Sequence, residues 1–487
     1  MKIFKLPIIV ALFLMSVIDY PQVIPINPEL LKIRAEISQM VADSTIPSMA
    51  VAVIKDGKIL WQEAIGYADI EEKEKATIKS IYPLGSVSKS ITATGIMHMV
   101  NTGEVSLFDN IQNLIAPIQL KDINGNVPEI KLWQLVSNNA GLNHGYGVFE
   151  KGYLPKTQDE IKQFYESAVV VAFTPGEVYH YSNHSFDVAE LLISMKSGKS
   201  FQDYMNENVF YPLGIKNTYA YPDFNNKNLV STYSVDLKKI STNEIIYPAG
   251  GAGFWSSIKD LTQYVLFHMG VKKDDKVISE KNLKLMHNFR QGESDMFGIG
   301  WFNSDGNIYS DGNVEGGNAA ISVDFKNKLG IICLLNRTSN NGIADQINGK
   351  IKAVFVKPEG DQFKEWRRFY GTPYNLKYDL AGKWDGKIKD PVTLKEIPFG
   401  IVFNNEGKII LNLDGQKIEL KYPQYNLLQQ LHSQFNTSIP GISDKKVLCS
   451  MTLQRDHNKF RGYIFYQQFL KHSFYTMPLY VEIKKGN

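Results

Sequence analysis

The period of hydrophobic and polar positions changes along this chain, and the changes divide it. Positions 28–43 place apolar residues at the spacing of an amphipathic helix, entered through a proline. Two runs then alternate as strands, 49–54 and 58–65, with Asp56-Gly57 between them as the turn of a hairpin. A second pair is predicted at 319–325 and 329–336, joined by Lys326-Asn327-Lys328. Between these pairs the pattern is largely helical. Strands contributed by both ends of a segment predict one antiparallel sheet, with the intervening residues packed against it as a helical lobe. The cleft between sheet and lobe is the natural place for a site.

From 357 to 375 the periodicity breaks into charged sequence containing Pro and Gly, read as a linker. Short alternating runs follow at 400–403, 408–413, 417–420, 446–453, 460–467 and 477–483, which predict a closed antiparallel β-barrel. The expected class is α+β, divided into a main domain at 28–356 and a barrel domain at 376–487. Ahead of these, Lys2 and Lys5 precede an apolar run at 6–18, the layout of a secretory signal in residues 1–20. The run leaves through Asp19, Tyr20 and Pro21 without a small-x-small cleavage site, so a retained membrane anchor is the alternative reading. Either reading places the protein outside the cytoplasm, with membrane association through its N-terminus under the second.

Composition removes other classes. The chain of 487 residues is 44% hydrophobic and 21% charged, with a formal charge of +3 and no long basic block, so nothing in its electrostatics calls for a nucleic acid. Its two cysteines, Cys333 and Cys449, lie in apolar strand-like runs and read as buried thiols, with a single bridge between them as the alternative. His180 and His184 have the spacing of helical metal ligands, but they flank Tyr181-Ser182-Asn183 and no Glu completes a zinc-protease pattern, so neither a metal nor any other cofactor is expected.

Candidate chemistry centres on Ser-x-x-Lys. The string occurs at Ser86/Lys89, Ser256/Lys259 and Ser443/Lys446, and context separates the first. Ser86 follows Pro83-Leu84-Gly85 and opens a helical pattern that carries Ile96, Met97 and Val100 and stops near Gly103. A helix N-terminus favours developing negative charge, and a lysine three residues on lies on the same face. A buried lysine with a lowered pKa can take the proton of a serine hydroxyl. Tyr181-Ser182-Asn183 follows the turn Pro175-Gly176; a tyrosine beside the lysine can relay protons, and an asparagine amide can bind both the lysine and a substrate carbonyl.

With these motifs in order, the chain resembles the beta-lactamase-related serine hydrolases, a family of class C beta-lactamases, D-Ala-D-Ala carboxypeptidases, D-aminopeptidases and esterases. Ser86-Val87-Ser88-Lys89 matches the first motif and Tyr181-Ser182-Asn183 the second; Pro248-Ala249-Gly250-Gly251 and Phe297-Gly298-Ile299-Gly300-Trp301 are weaker family-like segments. The resemblance covers residues 30 to about 345. It implies a penicillin-binding-protein-like fold, Ser86, Lys89 and Tyr181 as catalytic residues, and Asn183, Ser310, Gly312 and Asn313 around the substrate. It also implies an oxyanion hole made by the backbone N–H groups of Ser86 and Asn313. Where relatives carry Lys or His two residues before Gly312, this chain has Ser310, and Ser137-Asn138-Asn139-Ala140-Gly141 lacks the His and Ser that relatives often show. The expected function is hydrolysis of an ester or amide, in a small molecule or peptide, through an acyl-enzyme. A catalytically degenerate protein that binds ligands or partners is the alternative. In the last part, Leu380-Ala381-Gly382-Lys383-Trp384 is similar to the opening strand of lipocalin-like barrels.

Overall fold

In the computed structural model, which describes residues 22–145, 148–149, 157–240, 247–291, 297–304, 306–357, 372–373, 380–390, 395–404, 406–426, 429–470 and 473–486, the Asp56-Gly57 hairpin belongs to the first sheet. Helix α1 (Pro28–Ala42) is capped by Asn27, whose side chain accepts from the backbone of Glu29 and Leu30. Strands β1 (Ser48–Lys55) and β2 (Lys58–Asp69) follow, their turn holding Asp56 and Gly57 at φ 51° and 76°. Asp and Gly are the residues that tolerate both left-handed positions of such a turn. After β3 (Glu74–Lys75) the chain leaves for the lobe, which includes α2 (Ser88–Thr102), α3 (Asn183–Ser197) and α4 (Ile258–His268). It returns through β4 (Phe302–Ser304), β5 (Asn307–Val314), β6 (Gly317–Asp324) and β7 (Leu329–Leu335), then α5 (Ile343–Phe355).

These strands form one antiparallel sheet in the order β4-β5-β6-β7-β1-β2-β3, so the two ends of the segment meet where β7 pairs with β1. Side-chain alternation sends Met49, Val51, Val53 and Cys333 toward α1 and α5, and Ala50, Ala52, Ile332 and Leu334 toward the lobe. Both faces are covered, which is why β1 and β7 read as nearly continuous apolar runs.

Helix α2 is buried on every side, because its residues from Ser88 to Met99 are all buried. The hydroxyls of Ser90, Thr92 and Thr94 bond back to the carbonyls of Val87, Ser88 and Ser90, so a helix with polar side chains runs through an apolar lobe without orphaned groups. That placement is what buries Lys89, 1% exposed, on its first turn.

The C-terminal residues form a second antiparallel sheet. Its strands are β8 (Thr372–Pro373), β9 (Gly382–Lys389), β10 (Glu396–Phe403), β11 (Ile409–Leu413), β12 (Gln416–Glu419), β13 (Gln424–Tyr425), β14 (Gln430–Ile439), β15 (Ser443–Asp456), β16 (Lys459–Leu470) and β17 (Ser473–Lys485). They pair in the order β8-β13-β14-β15-β16-β17-β9-β10-β11-β12. The predicted closure is not met among the described residues: β8 and β12 are edges, and the sheet is a curled half-barrel. Alternate positions build its own core around Trp384, Leu411 and Phe460. Residues 1–20 and most of 357–375, read from sequence as signal and linker, lie outside the described residues. The bridge alternative is overturned: Cys333 and Cys449 are free thiols buried in different cores.

Candidate active site

Ser86 sits on a short 3-10 turn, Gly85–Val87, that leads directly into α2. One turn on, Lys89 Nζ lies 3.0 Å from Ser86 Oγ, 2.5 Å from Asn183 Oδ1 and 2.7 Å from the carbonyl of Gly251. Burial lowers the lysine pKa to about 7, against the opposing pull of Asp187 and Asp311. Hydrogen-bond counting shows what the neutral form does. An –NH2 has two hydrogens and one lone pair, and Asn183 Oδ1 and the Gly251 carbonyl can only accept. They take both N–H bonds, and the lone pair is left facing the hydroxyl of Ser86.

Each lysine partner is held in turn. Asn183 opens α3, where Ser182 caps the helix by accepting from Ser185, and Asn183 Nδ2 donates to the carbonyl of Gly145 at 2.8 Å. The loop bearing Gly251 is fixed by two acids of α3: Asp187 accepts from Gly251 N at 3.0 Å and Glu190 from Gly250 N at 2.7 Å. Burial raises the Glu190 carboxyl to about 7.

The second motif is positioned by the segment whose sequence departed from its relatives. Asn138 Oδ1 accepts from Ser182 N, and the Asn138 carbonyl from His180 N. Asn138 has φ 59°, a left-handed conformation that asparagine adopts more readily than most residues. The Tyr181 ring is stacked on Phe302, 6.1 Å away and 4° from parallel, and its centroid lies 4.7 Å from Lys89 Nζ. His144 donates from Nδ1 to the Tyr181 carbonyl at 2.8 Å, because a carbonyl only accepts, and burial pushes its pKa down to about 4.

The third candidate segment is β5. A Cβ placed on Gly312 would stand 2.0 Å from the Leu84 carbonyl and 2.7 Å from Ser86 N, and one on Gly85 would stand 2.8 Å from Asn313 N. The absence of side chains at both glycines lets strand and 3-10 turn touch, with Ser86 N packed against Gly312 and Asn313 N against Gly85. The Asn313 side chain is tied to the Ser339 backbone. A cleft of about 600 Å³ opens over this arrangement, lined among others by Ser86, Tyr181, Asn183 and Asn313. Asp187, Asp236 and Glu315 also line it, and no lysine or arginine does among the described residues. Ser310 and Gly312 are buried in the strand and are not among the lining residues.

The other sequence candidates fall elsewhere. Ser256 and Ser443 lie in strands, Trp255–Ser257 and β15; the first string runs into α4, but the residue that caps that helix is Ser257, and the second opens no helix. His180 packs between Phe173 and Tyr463, while His184 Nδ1 meets Asp187, and no group of three or more metal-ligating residues occurs among the described residues. Sequence reasoning missed Gly251, His144, Asp187 and Glu190. The Pro248-Ala249-Gly250-Gly251 loop was visible as a family-like segment, but a backbone carbonyl leaves no side-chain signal.

A family model described as Beta-lactamase matches residues 33–354. Among curated proteins the chain is 27% identical over 302 residues to "Beta-lactamase" of Escherichia coli (strain K12), covering 60% of this chain and 75% of that protein. It is 21% identical over 304 residues to "Protein flp" of Staphylococcus aureus (strain N315), covering 60% of each; the match spans about 60% of that relative's length. Among solved structures, an octameric penicillin-binding protein homologue from Pyrococcus abyssi aligns over 92% of this chain and 99% of its own, with TM-score 0.56 and 20% identity. EstCE1, a hydrolase with promiscuous acyltransferase activity, aligns over 67% and 99%, with TM-score 0.56 and 21% identity. At these identities the two structures speak to the fold alone.

Proposed function

The chain belongs to the Beta-lactamase family, and from that premise we propose that it is a serine hydrolase acting through an acyl-enzyme on Ser86, with esters or amides that lack a free carboxylate as substrates. The observation that carries the reading is the buried contact of 3.0 Å between Lys89 Nζ and Ser86 Oγ, with the amine pKa lowered to about 7. Neutral Lys89 takes the proton as Ser86 Oγ attacks the carbonyl carbon. The N–H groups of Ser86 and Asn313 hold the oxyanion, and Asn183 keeps the lysine in place and offers its amide to the substrate. Lys89, with Tyr181 against it, returns the proton to the leaving group. Water then releases the acyl group.

The substrate class follows from charge. A carboxylate in the cleft would meet Asp187, Asp236 and Glu315; Lys238 pairs with Asp236, but no lysine or arginine lines the cleft among the described residues, and position 310 holds serine. A fluorophosphonate is expected to label wild type and spare Ser86→Ala. Neutral p-nitrophenyl esters are expected to turn over faster than a penicillin, which bears a carboxylate. Equal labelling of both proteins would remove Ser86 from the chemistry, and faster penicillin turnover would sink the substrate assignment. Failure to label wild type, together with retained ligand binding, would favour the alternative of a binding protein without turnover.

A further inference from the structure

Both loops that hold the Tyr181-Ser182-Asn183 turn are gripped from outside by the C-terminal sheet. On one side the contact falls on residues 173–180, immediately before Tyr181. Gln430 Nε2 on β14 donates to the Tyr179 carbonyl at 3.0 Å, and Tyr463 on β16 meets His180 Nδ1 through its hydroxyl at 3.2 Å. The imidazole of His180 sits between two rings, 5.3 Å from Phe173 and 4.9 Å from Tyr463. Arg461 pairs with Glu177 beside them. The Gln430 and Tyr463 contacts are buried: Gln430 and His180 are 6% and 5% exposed, and Tyr463 is fully buried. On the other side, Val148–Phe149 pairs with Phe474 and Ser473 of β17. That short strand follows His144-Gly145, whose carbonyls accept from Asn183 N at 2.7 Å and Asn183 Nδ2 at 2.8 Å.

Neither grip reaches the cleft. Gln430 touches backbone two residues ahead of Tyr181 and Tyr463 a side chain one residue ahead, and β17 touches the loop that tethers Asn183. We propose that Gln430 and Tyr463 are positioning residues, through which the C-terminal sheet sets the placement of Tyr181 over Lys89. The inference rests on the hydrolase reading for its kinetic consequence, but the placement itself is a structural claim. A reacting group displaced by about 1 Å can lose about a hundredfold in rate, so a contact two residues away from Tyr181 is close enough to matter. Displacing the Tyr181 ring would also admit water to the lysine, weaken the desolvation that holds its pKa down, and move the pH dependence of the reaction upward.

The test uses the full chain with Gln430→Ala, the conservative Tyr463→Phe, and Leu411→Ala as a control in the C-terminal core away from these contacts. With a neutral p-nitrophenyl ester, the first two variants are expected to lose roughly tenfold in kcat with KM within about twofold. The midpoint of their pH profile is expected to shift to higher pH, while Leu411→Ala keeps wild-type kcat and midpoint. Hydrogen–deuterium exchange at the amides of Ser182 and Asn183, bonded to Asn138 Oδ1 and the His144 carbonyl, is expected to quicken in the two contact variants and stay unchanged in the control. Unchanged kcat, midpoint and exchange would overturn the proposal, as would an equal loss in the control. If fluorophosphonate does not label wild-type Ser86, the hydrolase reading fails by itself, and the exchange measurement still decides whether the sheet positions the turn.

Discussion

A lysine buried as completely as Lys89 is costly unless its amine is neutral or well partnered, and here the partners determine its role. Two of its three neighbours are obligate acceptors, so at its lowered pKa of about 7 the amine points its lone pair at Ser86. The direction of the pH dependence follows. Below about pH 7 the amine is protonated and has no lone pair to offer; above it, the base is present. Acylation of Ser86 is therefore expected to rise as pH passes through about 7 and then level off, as measured by the rate of fluorophosphonate labelling. Lys89→Arg keeps the positive charge but cannot deprotonate, and is expected to slow labelling by about 10²–10⁴-fold at pH 8. Labelling by Lys89→Arg at the wild-type rate would exclude the lysine as base. At this scale the sequence was informative about the site's side chains, Ser86, Lys89, Tyr181 and Asn183, which the fold brings together. It was silent where backbone does the work, as in the carbonyls of Gly251 and Gly145.

Elements depend on whether their governing interactions are local. The β1–β2 hairpin was legible because Asp56-Gly57 carries its turn chemistry in two adjacent residues, and α1 because its apolar spacing begins at Pro28. The complete burial of α2 was not, because hydroxyls bonded to their own helix look polar in a sequence and are already satisfied in a core. Alternation likewise identified most of the C-terminal strands but not their closure, since an edge strand and an interior strand can share one pattern. The contact between β5 and the Gly85–Val87 turn lies between these cases: Gly312 was placed by resemblance, and the structure supplies the reason. Its missing Cβ leaves room for the Leu84 carbonyl and Ser86 N. Gly312→Ala is expected to force strand and turn apart, destabilise the protein by about 1–3 kcal/mol, and reduce fluorophosphonate labelling more than stability alone accounts for. Denaturant melts and labelling rates on the same samples check both effects, and full labelling by a stable Gly312→Ala protein would contradict the proposed oxyanion site.

The molecule as a whole contains two main sheets with separate cores, meeting at an interface that includes Phe173, Val178, Tyr463 and Phe465. Each sheet carries one buried thiol. Cys333 lies beneath α5 in the first and Cys449 within the half-barrel, and burial raises both thiols, the latter to about 12. Buried thiols with raised pKa values are inert until their surroundings open, so each reports on its own core. The first sheet is covered on both faces, by the lobe and by α1 and α5, whereas the C-terminal sheet curls around a core of its own and has less packed over it. Cys449 is therefore expected to become reactive to N-ethylmaleimide at a lower denaturant concentration than Cys333, read peptide by peptide by mass spectrometry. If the C-terminal sheet positions Tyr181, hydrolytic activity is expected to decline with the exposure of Cys449, before Cys333 reacts. Simultaneous exposure of the two thiols would mean that the interface binds both sheets into one cooperative unit. Activity that persists after Cys449 is modified would detach the C-terminal sheet from catalysis.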